Sequence, residues 1–127
     1  MRKLILLTFF AFSVFEFSAC CKGGSGGSAT LDCYVLHHAK PIPGATVYIK
    51  YNVTEFPGTD VSAYNDHVKA GDNTNGLKFE GLHCGDYFLY GVGFDSALGL
   101  PVTGGVHVQI KYSDRKKEQS TNVPITE

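Results

Sequence analysis

The chain has 127 residues, 11 of them basic and 12 acidic, for a formal charge of −1 with histidines neutral. So even a balance leaves no electrostatic footprint for nucleic acid, and the length suits one domain rather than several. The apolar content then has to be shared between one core and whatever segment is not part of the domain, so the apolar runs need to be sorted by position.

Met1-Arg2-Lys3 is a short positive start, and Leu4 to Phe15 is an almost unbroken apolar run. A transmembrane helix needs about twenty apolar residues, whereas this run is shorter and is interrupted by Glu16. Phe17-Ser18-Ala19-Cys20 closes it with small residues and a cysteine. These are the parts of an export signal ending at a processing point. With Cys20 directly after Ser18-Ala19, the segment resembles a bacterial lipoprotein signal. That resemblance implies removal of residues 1–19 and acylation of Cys20 as the first mature residue. Phe17 stands where such signals usually carry leucine; the rival reading is an ordinary secretory signal cut after Ala19. Lys22 and Gly23-Gly24-Ser25-Gly26-Gly27-Ser28 come next. Their composition reads as a flexible tether over residues 20–29, spanning roughly 15 Å r.m.s.. The folded domain is expected over residues 30–127.

That domain reads as β throughout. Thr30 to Leu36 alternates, with Leu31, Cys33 and Val35 on one face. Lys40 to Gly44 is a proline- and glycine-marked turn, after which Ala45 to Tyr51 buries Val47, Ile49 and Tyr51. Period-two patterning bounded by proline and glycine is the strand signature. Val61 to Val68 is a more polar strand, expected at an edge. Asp72 to Gly76 turns into Leu77 to Glu80, and Tyr87 to Phe94 is aromatic, with Gly91 and Gly93 marking a bulge or a close backbone approach. Val106, Val108, Ile110 and Tyr112 share a face, and Asp114 to Lys117 forms a solvated hairpin tip before a last strand around Ser120 to Ile125. Seven short strands in about 100 residues predict an all-β sandwich.

Export places the cysteines in an oxidising compartment, where disulfides form and persist. Cys20 is taken by the lipid and Cys21 lies in the neck, so Cys33 and Cys84 are expected to bridge. Such a bridge closes a loop of about 50 residues and contributes roughly 4 kcal/mol. Two buried free thiols are the alternative.

Two stretches carry more than strand character. Lys40-Pro41-Ile42-Pro43-Gly44-Ala45-Thr46-Val47 resembles the opening signature of carboxypeptidase-regulatory-like domains. Asn75-Gly76-Leu77-Lys78-Phe79-Glu80-Gly81-Leu82-His83-Cys84-Gly85-Asp86-Tyr87 is similar to their second signature, with Cys84 where the family often has proline. The resemblance implies a seven-stranded Greek-key sandwich of the transthyretin (prealbumin) type. In it Tyr87 buries its ring while its hydroxyl finds a backbone partner.

Enzymes on this fold offer patterns to seek. The hydroxyisourate hydrolases end in Tyr-Arg-Gly-Ser, whereas this sequence ends Val123-Pro124-Ile125-Thr126-Glu127. Intradiol dioxygenases bind iron through two tyrosines and two histidines at spacings that are not matched here. No serine-nucleophile motif, phosphate loop or paired carboxylate array appears, so the chain is expected to be non-catalytic. His37, His38 and His83 form a candidate metal set, since zinc accepts imidazole and thiolate ligands. His67 and His107 read as solvent-facing strand residues. Asn52-Val53-Thr54 is a sequon in a eukaryotic context, and Asp95-Ser96-Ala97 resembles an envelope O-glycosylation pattern at Ser96. The expected function is that of a lipoprotein of the bacterial cell envelope, at the outer membrane. Lipid on Cys20 would hold it to the membrane, and its binding or scaffolding domain would meet an envelope protein or glycan without a cofactor. The alternative is a small secreted or periplasmic metal-binding protein or hydrolase.

Overall fold

The computed structural model describes residues 21–127; the export signal and the acylation expected at Cys20 lie outside the described residues. The described chain is all-β. Its strands are β1 (Ser25–His37), β2 (Lys40–Pro41), β3 (Thr46–Tyr51), β4 (Asp66–Lys69), β5 (Gly76–Leu82), β6 (Gly85–Asp95), β7 (Leu100–Ile110) and β8 (Glu118–Pro124). In one sheet β1 pairs antiparallel with β2 and β5 and parallel with β8. The other runs β4-β3-β6-β7, antiparallel throughout.

The two sheets face each other across one core, as the alternation in the sequence requires. Leu31, Cys33 and Val35 of β1 are buried there, with Val47 and Ile49 of β3, Tyr87 and Leu89 of β6, and Val108 and Ile110 of β7. Val123 and Ile125 close it. Gly91 explains how β8 fits so near: a Cβ there would lie 3.0 Å from Ile125 and 3.1 Å from Val123. Pairing of β6 with β7 runs unbroken from Gly85↔Ile110 to Asp95↔Leu100, so Gly91 marks a close approach and not a bulge.

Several expectations need correcting. The stretch expected as one edge strand from Val61 to Val68 is a 3-10 turn (Val61–Ala63) followed by β4, which does lie at the sheet edge. Tyr112 leaves the β7 face for a second 3-10 turn and is half exposed. The segment around Arg115 is no hairpin tip: it carries the chain from β7 in one sheet to β8 in the other.

The larger correction is at the neck. The bridge is Cys21–Cys84, with Cα atoms 5.0 Å apart, and Cys33 is a buried free thiol. Register gives the reason. Cys33 pairs with Leu77, and the residues from there to Cys84 span roughly 23 Å of extended chain, where a bridge tolerates at most about 7 Å between Cα atoms. Cys33 instead fills the core as a small hydrophobe, and burial pushes its thiol pKa up to about 12.

The glycine-serine segment is likewise not a tether. Gly23 donates its N–H to the Asn52 side chain at 2.7 Å and accepts from it at 3.1 Å. Gly24 donates to the Tyr87 hydroxyl at 2.9 Å, and that hydroxyl donates to the His83 carbonyl at 2.6 Å. The Tyr87 ring is fully buried, as expected. The glycines are there because chains pass too close for side chains: a Cβ on Gly27 would lie 2.2 Å from the Leu82 carbonyl oxygen, and one on Gly85 would lie 2.4 Å from the Gly23 nitrogen. The folded unit therefore includes residues 21–29 and does not start at residue 30.

The bridge closes 63 residues of sequence, a constraint on the unfolded chain worth about 4 kcal/mol. Urea denaturation of Cys21→Ala and of Cys84→Ala is expected to show that loss in each, equally and without additivity in the double variant. Cys33→Ala should cost only about 1–2 kcal/mol for the small cavity it leaves, and the native Cys33 thiol should resist a disulfide-exchange reagent at mildly alkaline pH until the protein unfolds. Reaction of Cys33 in the folded protein would contradict its placement.

Candidate functional site

Two places gather functional groups, and each is set up by a turn or loop that the strands hold. The first is at the end of β1. His38 and Ala39 have φ of 49° and 64°, and His37 pairs with Lys40. This is a two-residue hairpin of the kind that usually takes Asn-Gly. Left-handed geometry costs a residue with a Cβ about 1–2 kcal/mol, so the turn holds His38 and Ala39 at a disadvantage. Strand β8 brings the last residues alongside. The Ile125 N–H donates to the Leu36 carbonyl at 2.9 Å, and Thr103 and Thr126 exchange backbone bonds of 2.9 and 2.8 Å. Stitched on both sides, the chain delivers Glu127 to the turn.

His37 is the centre of this cluster and is 1% exposed. Its Nδ1 lies 2.8 Å from Asp95 Oδ2 and its Nε2 lies 2.5 Å from Glu127 Oε2. His38 Nε2 lies 3.5 Å from the same Glu127 oxygen. Asp95, at the end of β6 and also buried, uses its other oxygen to accept from the N–H groups of Ala97 at 3.0 Å and Leu98 at 3.2 Å. The hydrogen bond to Asp95 raises the His37 pKa against the opposing effect of burial, with Glu127 adding to the rise. The bond to His37 lowers the pKa values of both carboxylates.

The second place is on the outer face of the β3-β6-β7 sheet. The segment after β3 folds back over it, held by the Tyr64 hydroxyl donating to the Gly58 carbonyl at 2.8 Å and by Asn65 accepting from the Tyr51 N–H at 2.8 Å. Asp60 caps the 3-10 turn through the Ser62 N–H at 3.0 Å. Tyr64 stacks on Tyr90 with ring centroids 5.7 Å apart, and Phe56 sits over Phe88 and Tyr90 at 5.8 and 5.5 Å. Phe88 and Tyr90 are buried beneath it, whereas Phe56 is half exposed. A groove of about 340 Å³ results, lined by Phe56, Thr59, Phe88, Tyr90, Thr103 and the bare backbone of Gly104-Gly105. Among the described residues, no charged side chain lines it.

The structure sorts the sequence candidates accordingly. His37 and His38 come together, but His83 sits beside Gly26 near the opposite end of β1, roughly 35 Å away along an extended strand. Glu127 and Asp95 take the places expected of His83, and neither had a signal in the sequence. Ser96 is exposed in the β6–β7 turn. The Asn52 amide is engaged with Gly23, so a glycan there would break the clasp. His67 and His107 face solvent, His107 Nε2 lying 2.9 Å from Asp86. No protein-family model matches the sequence, and no curated protein matches it either.

Buried Asp95 holds three partners, while Glu127 and His38 are exposed. Asp95→Ala should therefore lower the melting temperature by several degrees, since it orphans His37 and two amides, and Glu127→Ala or His38→Ala should leave it nearly unchanged in chelator. Differential scanning calorimetry of the three variants checks this; equal effects would remove Asp95 from its central role.

Proposed function

We propose that the protein is a lipid-anchored module of the bacterial cell envelope that binds a neutral glycan in its aromatic groove without transforming it. The observation that carries this reading is the groove beneath Phe56. Aromatic faces suit the apolar C–H faces of sugar rings, while Thr59, Thr103 and exposed glycine backbone offer hydrogen-bond partners to sugar hydroxyls. The absence of charge from the lining favours a neutral ligand over phosphate or an acidic peptide. The β-sandwich and the buried Tyr87 with its backbone-bonded hydroxyl are compatible with the carboxypeptidase-regulatory-like, transthyretin-type reading of residues 40–47 and 75–87. On that reading the framework is Greek-key.

Anchoring rests on the Cys20 signal resemblance, and the neck changes what anchoring means. Cys21 is bonded to Cys84, and adjacent Cα atoms are about 3.8 Å apart. Acyl chains on Cys20 would therefore hold the sandwich against the headgroups, with exposed Lys22 and His83 at the lipid surface. More than one acyl chain is needed for firm attachment. No helix among the described residues is long and apolar enough to cross a membrane.

Cys20→Ala should move the protein from the membrane to the soluble exported fraction. Mass spectrometry showing unmodified Cys20 on membrane-bound protein would contradict the anchor. For the groove, saturation-transfer NMR with neutral oligosaccharides from envelope glycans should detect binding that Phe56→Ala weakens by at least about tenfold, near the 1.4 kcal/mol scale of a single aromatic contact. Thermal stability should hold, because Phe56 is exposed. Binding that survives Phe56→Ala, or no binding by any neutral oligosaccharide, would overturn the glycan reading.

A further inference from the structure

We propose that His37, His38 and Glu127 form a binding site for a zinc-class divalent ion at the end of the sandwich, with Asp95 as the residue that positions His37. This stands apart from the glycan reading, since the groove and the cluster share no residue.

The donor set is the first argument. The three side chains place one ligand atom each within 4.8 Å of one another. Two imidazoles and a carboxylate suit zinc, with a fourth position left to water. Calcium and magnesium favour all-oxygen sets, and copper(I) favours sulfur ligands, while Cys33 is buried away in the core. Zinc–ligand bonds of about 2.0 Å in a tetrahedron separate ligand atoms by about 3.3 Å. The His37–Glu127 and His38–Glu127 separations of 2.5 and 3.5 Å lie on either side of that value, so small rotations of the exposed Glu127 and His38 side chains would admit the ion.

Orientation is the second, independent argument. Metal-bound histidines almost always give their other ring N–H to a carboxylate or carbonyl, which fixes the tautomer. Asp95 occupies that role: it faces His37 Nδ1, and the Ala97 and Leu98 amides immobilise it. With the proton on Nδ1, the Nε2 lone pair points at Glu127 and His38. An ordinary buried ion pair would need only one carboxylate on His37. Here the second carboxylate is exposed, faces the remaining nitrogen and has another histidine beside it.

The placement has a structural consequence. Zinc would join the strained β1–β2 turn to the segment after β8, reinforcing the backbone bonds and the His37–Glu127 contact that already hold the two together.

Isothermal titration of tag-free, chelator-stripped protein with zinc chloride near neutral pH tests this. One equivalent should bind with micromolar or tighter affinity and raise the melting temperature. His38→Ala and Glu127→Gln should each weaken binding at least about tenfold, and Asp95→Asn should weaken it by about 10–100-fold. His107→Ala, at a separate exposed histidine-carboxylate pair, should leave the isotherm unchanged. The exposed His38→Ala variant should melt like the parent in chelator, yet zinc should no longer stabilise it. No stoichiometric binding, or binding unaffected by His38→Ala and Glu127→Gln, would overturn the site.

Discussion

Strand β1 hydrogen-bonds along its length to three others, antiparallel to β5 and β2 and parallel to β8. That pairing determines where everything else can sit. Its first residues run alongside the β5–β6 turn, so Cys21 meets Cys84. Its middle supplies Leu31, Cys33 and Val35 to the core. Its last residue, His37, arrives where β6 ends at Asp95 and where the parallel β8 leaves off toward Glu127. Because side chains alternate along a strand, a slip of one residue would turn the core face outward and carry His37 away from Asp95. The disulfide and the clasp around Tyr87 oppose that slip at one end; β2 and Leu36 oppose it at the other.

The clasp also changes how a domain of this size secures itself. About 100 residues bury a modest core, and small exported domains commonly add a covalent constraint. Here the constraint joins the first described residue to the turn that launches β6. The glycines are the means by which it is reached: a Cβ is excluded at Gly27 by the Leu82 backbone and at Gly85 by the Gly23 backbone. A segment with the composition of a linker is thereby built into the sheet.

Much of the framework was legible in the sequence. Alternation in β1 and β3 identified Leu31, Val35, Val47 and Ile49 as core, and each is fully buried. The burial of Tyr87 followed from the family resemblance, and Gly91 was readable as either a bulge or a close approach, of which the structure has the second. The failures share a physical cause. Glycine has no side chain to alternate, so residues 23–27 could show no strand period even though β1 begins at Ser25 and Gly23 and Gly24 are hydrogen-bonded into the fold. Cysteine pairing depends on register, and the spacing of Cys33 from Cys84 says nothing of the strand length between them. The Asp95 and Glu127 partners of His37 lie 58 and 90 residues away; only the return of β6 and β8 to the same end of β1 assembles them. Adjacent His37 and His38 were the one visible part of that cluster.

The disulfide, the clasp around Tyr87 and the start of β1 all require that the glycine-rich neck is part of the fold and not free chain. Amide hydrogen exchange, read residue by residue over 22–29, tests that most directly. The account predicts protection at Gly23 and Gly24, whose N–H groups are held by Asn52 and Tyr87, approaching that of β5 and lost together when the disulfide is reduced. Exchange of these amides at the rate of an unstructured peptide, in protein whose β5 amides remain protected, would contradict it.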